Sequence, residues 1–286
     1  MKNSLKQFPR YTTVEATPKT ICSKFTESIF NYPFLDNGIQ INNRKAKSPT
    51  NFKRLNEISL SQNELLPLHG FIFHTSHCGS TLLVRMLQTH SQVRVISETE
   101  AINGLLLAYT LHQLPKAVIQ EQLKKIIKTY CQPLENHQYV IFKLTSWNIF
   151  MIDLFLDLYP TTKWMYIDRD TNEVVRSLMK SDGGFARWWD HPTDFLRKQF
   201  TGIYTETTKE AYLSHMVSQH RNHAAIFQNQ HKLSLNYKHL IEQFKNVTTH
   251  FNIDFSSKQL EAAKEVTAFY SKSMTKINFT QDTSPP

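Results

Sequence analysis

Hydrophobic positions along the chain change period repeatedly from residue 68 onward. Gly70-Phe71-Ile72-Phe73-His74 is a short apolar run and predicts a strand. Residues 81–90 carry Leu82, Leu83, Met86 and Leu87 at helical spacing, and the small polar residues 76–80 separate the two patterns. The segment therefore predicts strand, tight loop, helix. A short strand is expected at 93–96, a helix at 101–112, and an amphipathic helix at 116–130 with Val118, Ile119, Leu123, Ile126 and Ile127 apolar. Strong strand patterns recur at 139–144 and 163–167, each followed by a helical pattern, at 147–158 and 171–179. Residues 192–228 read as largely helical, 232–237 as a strand, and helices near 239–250 and 258–269 close the sequence.

Strands alternating with helices imply an α/β fold, with a parallel central sheet and helices on both faces. Ligands of such sheets bind beyond the C-terminal strand ends. The loops at Ser76, Thr145 and Arg169 all follow strand ends and are expected to converge on one crevice. The organisation expected is a single domain: an irregular N-terminal layer at 1–66, a nucleotide-binding core at 67–180, a helical acceptor-side region at 181–230, and a C-terminal strand and helices at 231–286. Within the first, Asp36-Asn37-Gly38 suggests a short hairpin.

Composition narrows the partners. The 286 residues are 40% hydrophobic and carry a formal charge of +9, so a globular protein with an anionic partner is expected. The basic residues are scattered rather than gathered into a tract. A concave site for a small anion fits this as well as a nucleic-acid groove does, and so does an ordinary basic surface. Cys22, Cys78 and Cys131 are odd in number and widely spaced, which suggests neither a disulfide framework nor a zinc site and favours a reducing, cytoplasmic setting. Residues 1–20 lack the apolar core of a secretory signal, and the most apolar stretches, 101–111 and 149–159, are too short to span a bilayer.

The candidate chemistry begins at residues 76–81. Gly79 permits close backbone approach, and the N–H groups at a helix start, with the Ser80 and Thr81 hydroxyls, can cradle an anion. A helix capped by Ser or Thr, with no ligand, is the simpler alternative. The loop is not a Walker A motif, which needs Gly-x-x-x-x-Gly-Lys-Ser/Thr; Gly79 is followed by Ser80, and the missing Lys disfavours an ordinary ATPase or kinase.

Ser76-His77-Cys78-Gly79-Ser80-Thr81-Leu82-Leu83 resembles the 5′-phosphosulfate loop of the sulfotransferase family. His77 stands where that family has Lys or Arg, and Cys78 where it often has Ser. The run from Leu82 through Glu98-Thr99 is similar to that of tyrosylprotein sulfotransferases and their bacterial relatives, whose catalytic base falls on Glu98. The resemblance implies a P-loop fold and 3′-phosphoadenosine 5′-phosphosulfate as donor, released as adenosine 3′,5′-bisphosphate, with no metal required. It implies donor contacts from Ser76, His77, Cys78, Gly79, Ser80, Thr81 and Leu82.

Arg169 and Ser177, eight positions apart after the 163–167 strand, match the family's 3′-phosphate pair. An Arg fork and a helical hydroxyl suit a phosphate, although a surface Arg paired with Asp168 or Asp170 would give the same pattern. Lys143 resembles the residue that offsets charge on the bridging oxygen; a solvated strand-end Lys is the alternative. The catalytic His of cytosolic sulfotransferases would fall on Thr145, which favours Glu98 as the base. His77 joins Glu98 and Lys143 as a candidate catalytic group, and Lys272 is a weaker candidate for the nucleotide. Leu235-Asn236-Tyr237-Lys238-His239-Leu240 resembles a late structural marker of the family.

The reading is a sulfotransferase acting on a hydroxyl or amine of a small-molecule or peptide acceptor. The alternatives are a P-loop phosphotransferase or kinase, for which Asp168 is the best Mg²⁺ ligand, and a catalytically inactive nucleotide-binding relative. His215, His220 and His223 lack an acidic companion and do not suggest a metal site. Residues 181–190, with a Gly pair beside Trp188 and Trp189, suggest an acceptor lid or simple packing.

Overall fold

The computed structural model describes residues 5–45, 52–61, 64–134, 136–181, 185–190, 197, 199–200 and 208–268. Its centre is a five-stranded sheet ordered β5-β6-β4-β7-β8, formed by β4 (Leu68–His74), β5 (Val93–Ser97), β6 (Tyr139–Lys143), β7 (Trp164–Asp168) and β8 (Lys232–Asn236). Every neighbouring pair is parallel. The chain leaves β4 for β5 and β6 on one side, then crosses to β7 and β8 on the other, so β4 lies where the winding reverses. Ligand crevices open at that position in parallel sheets.

The strands alternate between two cores, as the pleat requires. Phe71, Phe73, Phe142 and Trp164 enter one apolar cluster, and Ile72, Ile141, Met165 and Ile167 enter the other. Helices α3 (Glu100–His112), α4 (Lys116–Tyr130) and α5 (Ile152–Leu158) supply the first cluster; α2 (Ser80–Leu87), α9 (Phe244–His250) and α10 (Ser257–Glu265) supply the second. The parallel α/β sheet with helices on both faces is the architecture expected from the sequence.

The N-terminal layer is not irregular. Strands β1 (Lys6–Thr12) and β2 (Thr20–Phe25) pair antiparallel, with β3 (Lys53–Arg54) beside β2. Phe8, Cys22 and Phe25 are fully buried against α3 and α4, and Tyr130 donates to Pro9 O at 2.5 Å. Asp36-Asn37-Gly38 lies within helix α1 (Leu35–Lys45) and makes no hairpin. A side chain at Gly38 would come within 2.5 Å of Ile29 O, so this glycine permits helix packing rather than a turn.

Helices α6 (Thr171–Met179), α7 (Phe185–Asp190) and α8 (Lys209–Ile226) complete the described elements on the side of β7. Residues 146–151 form a 3₁₀ helix before α5, where the sequence pattern gave one continuous helix. Among the described residues, no helix is long and apolar enough to cross a membrane. All three cysteines are buried and free.

Candidate active site

The loop after β4 is set by backbone geometry. Gly79 precedes α2 with φ +89°, a left-handed conformation that L side chains rarely adopt. A Cβ there would stand 2.2 Å from the Tyr237 ring, so the ring lies directly against the loop. Thr75, Cys78, Ser80, Thr81 and Leu82 are buried, while Ser76, His77 and Gly79 are partly open. The Cys78 side chain joins the α2 core, and burial pushes its thiol up to about 12, which leaves its backbone as the part able to face an anion. This cradle of loop backbone at the start of α2 suits a phosphate or sulfate group.

His77, at φ 56°, shares a 2.8 Å hydrogen bond between Nδ1 and the Ser177 hydroxyl on α6. The loop and Ser177 are therefore in direct contact. Arg169 ends up near them, its guanidinium stacked over the Tyr237 ring at 4.8 Å and its Nε donating to Glu173 at 2.5 Å. Its partner is neither Asp168 nor Asp170. Asp170 caps α6, accepting from the N–H groups of Asn172 and Glu173. Tyr237 thus touches the end of the loop and Arg169 alike.

Asp168 is occupied by the protein itself. Arg221 of α8 donates to both of its oxygens, at 2.6 Å from Nε and 3.3 Å from Nη2, and Thr75 Oγ1 donates at 2.9 Å. Thr75 has a single proton, given to Asp168, so Tyr166 donates to Thr75 Oγ1 at 2.5 Å. This ion pair and hydroxyl chain take up the carboxylate that a kinase reading would give to Mg²⁺.

The second group lies at the ends of β5 and β6. Lys143 Nζ is hydrogen-bonded to Glu98 Oε1, and the side chain of Lys143 is 1% exposed against 23% for Glu98. Lys143 is therefore not a solvated strand-end lysine. Glu98 N donates to Lys143 O at 2.8 Å, so backbone and side chain both couple the two residues. Glu98 has φ 52°, a conformation costing about 1–3 kcal/mol for a non-glycine residue and concentrated at functional sites. The Phe34 ring of the N-terminal layer lies 5.4 Å from the Lys143 ammonium, and His74 Nε2 lies 3.8 Å from Glu98 Oε1. Burial, and then the Lys143 charge, hold His74 well below the usual histidine range, so it is neutral near pH 7.

Beyond Lys143, the chain enters the 3₁₀ helix bearing Trp147 and Phe150. Phe150 stacks on Phe200 at 5.1 Å and meets the rings of His220 and His223 at 5.0 and 4.8 Å. Phe185 packs on Trp188 and His220, both at 4.8 Å. His220 and His223 bond carbonyls of their own helix through Nδ1. A cavity of about 500 Å³ opens beside this aromatic cluster, lined by Tyr109, Phe150, Phe200 and His223 among others. Trp188 thus packs in an aromatic cluster; residues 182–184 and Lys272 lie outside the described residues.

The structure brings together His77 with Ser177 and Glu98 with Lys143, and it places Arg169 against the ring that covers Gly79. Sequence reasoning missed Arg221 and Phe34. Arg221 lies in a helix without a motif, and its contacts span 53 residues, so no local pattern marks it.

A family model described as the Sulfotransferase family matches residues 71–256. A sulfotransferase from Mycobacterium tuberculosis H37Rv superposes with a TM-score of 0.46 at 10% identity, over 71% of this chain and 72% of that one. The sulfotransferase domain of the Synechococcus PCC 7002 olefin synthase gives 0.43 at 15% identity, over 74% and 82%. A sulfotransferase from Alicyclobacillus acidocaldarius gives 0.41 at 10% identity, over 70% and 91%. No curated protein matches the chain in sequence.

Proposed function

The chain belongs to the sulfotransferase family, and on that premise we propose that it moves a sulfuryl group from 3′-phosphoadenosine 5′-phosphosulfate to a hydroxyl of an acceptor, with Glu98 as general base. The observation that carries this reading is the Glu98–Lys143 pair, held at two adjacent strand ends, with β4 and its loop on the next strand. The residues suit the donor: loop backbone and the Ser80 and Thr81 hydroxyls for the 5′-phosphosulfate, and Arg169 with Ser177 for the 3′-phosphate.

When bound, the donor supplies an activated sulfuryl group. Glu98 accepts the proton of the acceptor hydroxyl, its carboxylate aimed by Lys143 and by a constrained backbone. Lys143 is a buried cation whose charge offsets the negative charge that develops on the bridging oxygen. His77 donates from the loop beside Ser177, where relatives place a permanent cation. The aromatic cluster around Phe150 and His220 forms the acceptor side and suits an acceptor with an apolar body.

The test is transfer of labelled sulfuryl from donor to a mixture of hydroxylated small molecules and peptides. Wild type should label an acceptor, and Glu98→Gln should slow labelling by about 100-fold or more while binding adenosine 3′,5′-bisphosphate normally. Turnover that survives the substitution would show that another group is the base.

A further inference from the structure

We propose that Arg221 is the positioning residue of the 3′-phosphate site: it fixes Arg169 through that residue's backbone and cancels the Asp168 charge beside it. The inference rests on the donor assignment above. Arg221 lies on α8, far in sequence from every residue of the nucleotide loop. Its guanidinium makes four contacts: Nε with Asp168 Oδ2 at 2.6 Å, Nη2 with Asp168 Oδ1 at 3.3 Å and with Arg169 O at 2.7 Å, and Nη1 with Thr171 Oγ1 at 2.6 Å.

Each partner has a place in the site. Arg169 O belongs to the residue that would grip the 3′-phosphate. Thr171 begins α6, the helix that presents Ser177. Asp168 receives Thr75 Oγ1, the first side chain of the loop after β4. One planar fork therefore ties β7, the start of α6 and the start of the nucleotide loop to α8. Lys cannot reproduce these four directions from one ammonium. Removing the fork has a second consequence. Asp168 would then be an uncompensated carboxylate one residue from Arg169, where a doubly charged phosphate is to bind, and it would compete for the Arg169 guanidinium.

The surroundings agree with this role. Arg169, Arg221 and Lys238 line one concave pocket of about 270 Å³ with Asp170, Thr171, Glu173 and Asn236. The cations and hydroxyl are on its walls, and the acidic groups are engaged: Asp170 caps α6 and Glu173 holds Arg169. The neighbour of Arg221 on α8, His220, is in the aromatic cluster of the acceptor side. The same helix turn thus serves both halves of the crevice.

Calorimetric titration of full-length wild type, Arg221→Ala, Arg221→Lys and Asp168→Asn/Arg221→Ala with adenosine 3′,5′-bisphosphate and with adenosine 5′-monophosphate tests the assignment. The two nucleotides differ by the 3′-phosphate alone, so the ratio of their Kd values reads the Arg169 site and not general loosening. Arg221→Ala should weaken the bisphosphate by about tenfold and the monophosphate by less than about threefold, shrinking the ratio. Adding Asp168→Asn should recover a measurable part of the lost bisphosphate affinity, because the competing charge is gone. Arg221→Lys, which keeps the charge, should fold even if Arg221→Ala does not, and should weaken the bisphosphate by about threefold. An unchanged ratio in folded Arg221→Ala, or an unchanged bisphosphate Kd in Arg221→Lys, overturns the proposal. If wild type does not bind the bisphosphate, the donor assignment itself is what has failed.

Discussion

Four non-glycine residues among the described ones have positive φ, and two of them lie in the candidate site, Glu98 at the proposed base and His77 in the loop. Such conformations persist when the surrounding structure over-determines them. For Gly79 the constraint is stricter, because φ is +89° and the Tyr237 ring leaves no room for a Cβ. Gly79→Ala should therefore lose about 1–3 kcal/mol of stability, read by chemical denaturation, and weaken adenosine 3′,5′-bisphosphate at the same time. A variant with wild-type stability and affinity would show that the loop relaxes freely. The glycine, the Ser-Thr pair and Glu98 were legible in the sequence because they are local and ordered along the chain. Arg221 was not, since its partners are set by how α8 crosses the end of β7.

At the scale of elements, the middle of the central sheet was readable because β4, β6 and β7 are buried on both faces and so appear as near-continuous apolar runs. The N-terminal strands were harder. Pro9, Arg10 and Lys24 interrupt β1 and β2, and the register shifts between Pro9 and Tyr11, so no period-2 pattern survives. What orders this layer is long-range: Tyr130 OH donates to Pro9 O at 2.5 Å and shares a 2.7 Å hydrogen bond with the Thr99 hydroxyl, next to Glu98. Tyr130→Phe would take this donor from the buried Pro9 carbonyl and leave the Thr99 hydroxyl only the Ala101 N–H, at a cost of about 1–3 kcal/mol. A denaturation midpoint equal to wild type would mean that the strands are held by packing alone. Asp36-Asn37-Gly38 misled for a related reason: turn chemistry is a local preference, and the close packing of α1 on residues 27–31 overrides it.

For the whole molecule, buried titrating groups set the acid limit. Burial and then Arg94 hold His137 down to about 3, and burial holds His220 down to about 4, against an ordinary 6.5. Below pH 6.5 the unfolded chain takes up protons that these folded histidines refuse, so stability falls as pH drops from 6.5 towards 4. His74 acts in the same direction. Asp36 opposes them: burial and then Glu100 raise it to about 7, so the folded chain binds that proton first and gains stability as pH falls below 7. The histidines outnumber it, and the net slope is acid destabilisation. His137→Gln should lessen the fall in melting temperature between pH 7 and pH 4.5 by several degrees. An identical fall would remove His137 from the account.

The proposed donor site assigns loop backbone and Thr81 to one phosphorus or sulfur centre and Arg169 with Ser177 to another, a two-anion layout that ATP does not match. Titration of the full chain with adenosine 3′,5′-bisphosphate and with ATP, both without divalent metal, tests this most directly. The account predicts saturable binding of the bisphosphate and at least about tenfold weaker binding of ATP. Binding of ATP alone, and only when Mg²⁺ is added, would contradict it.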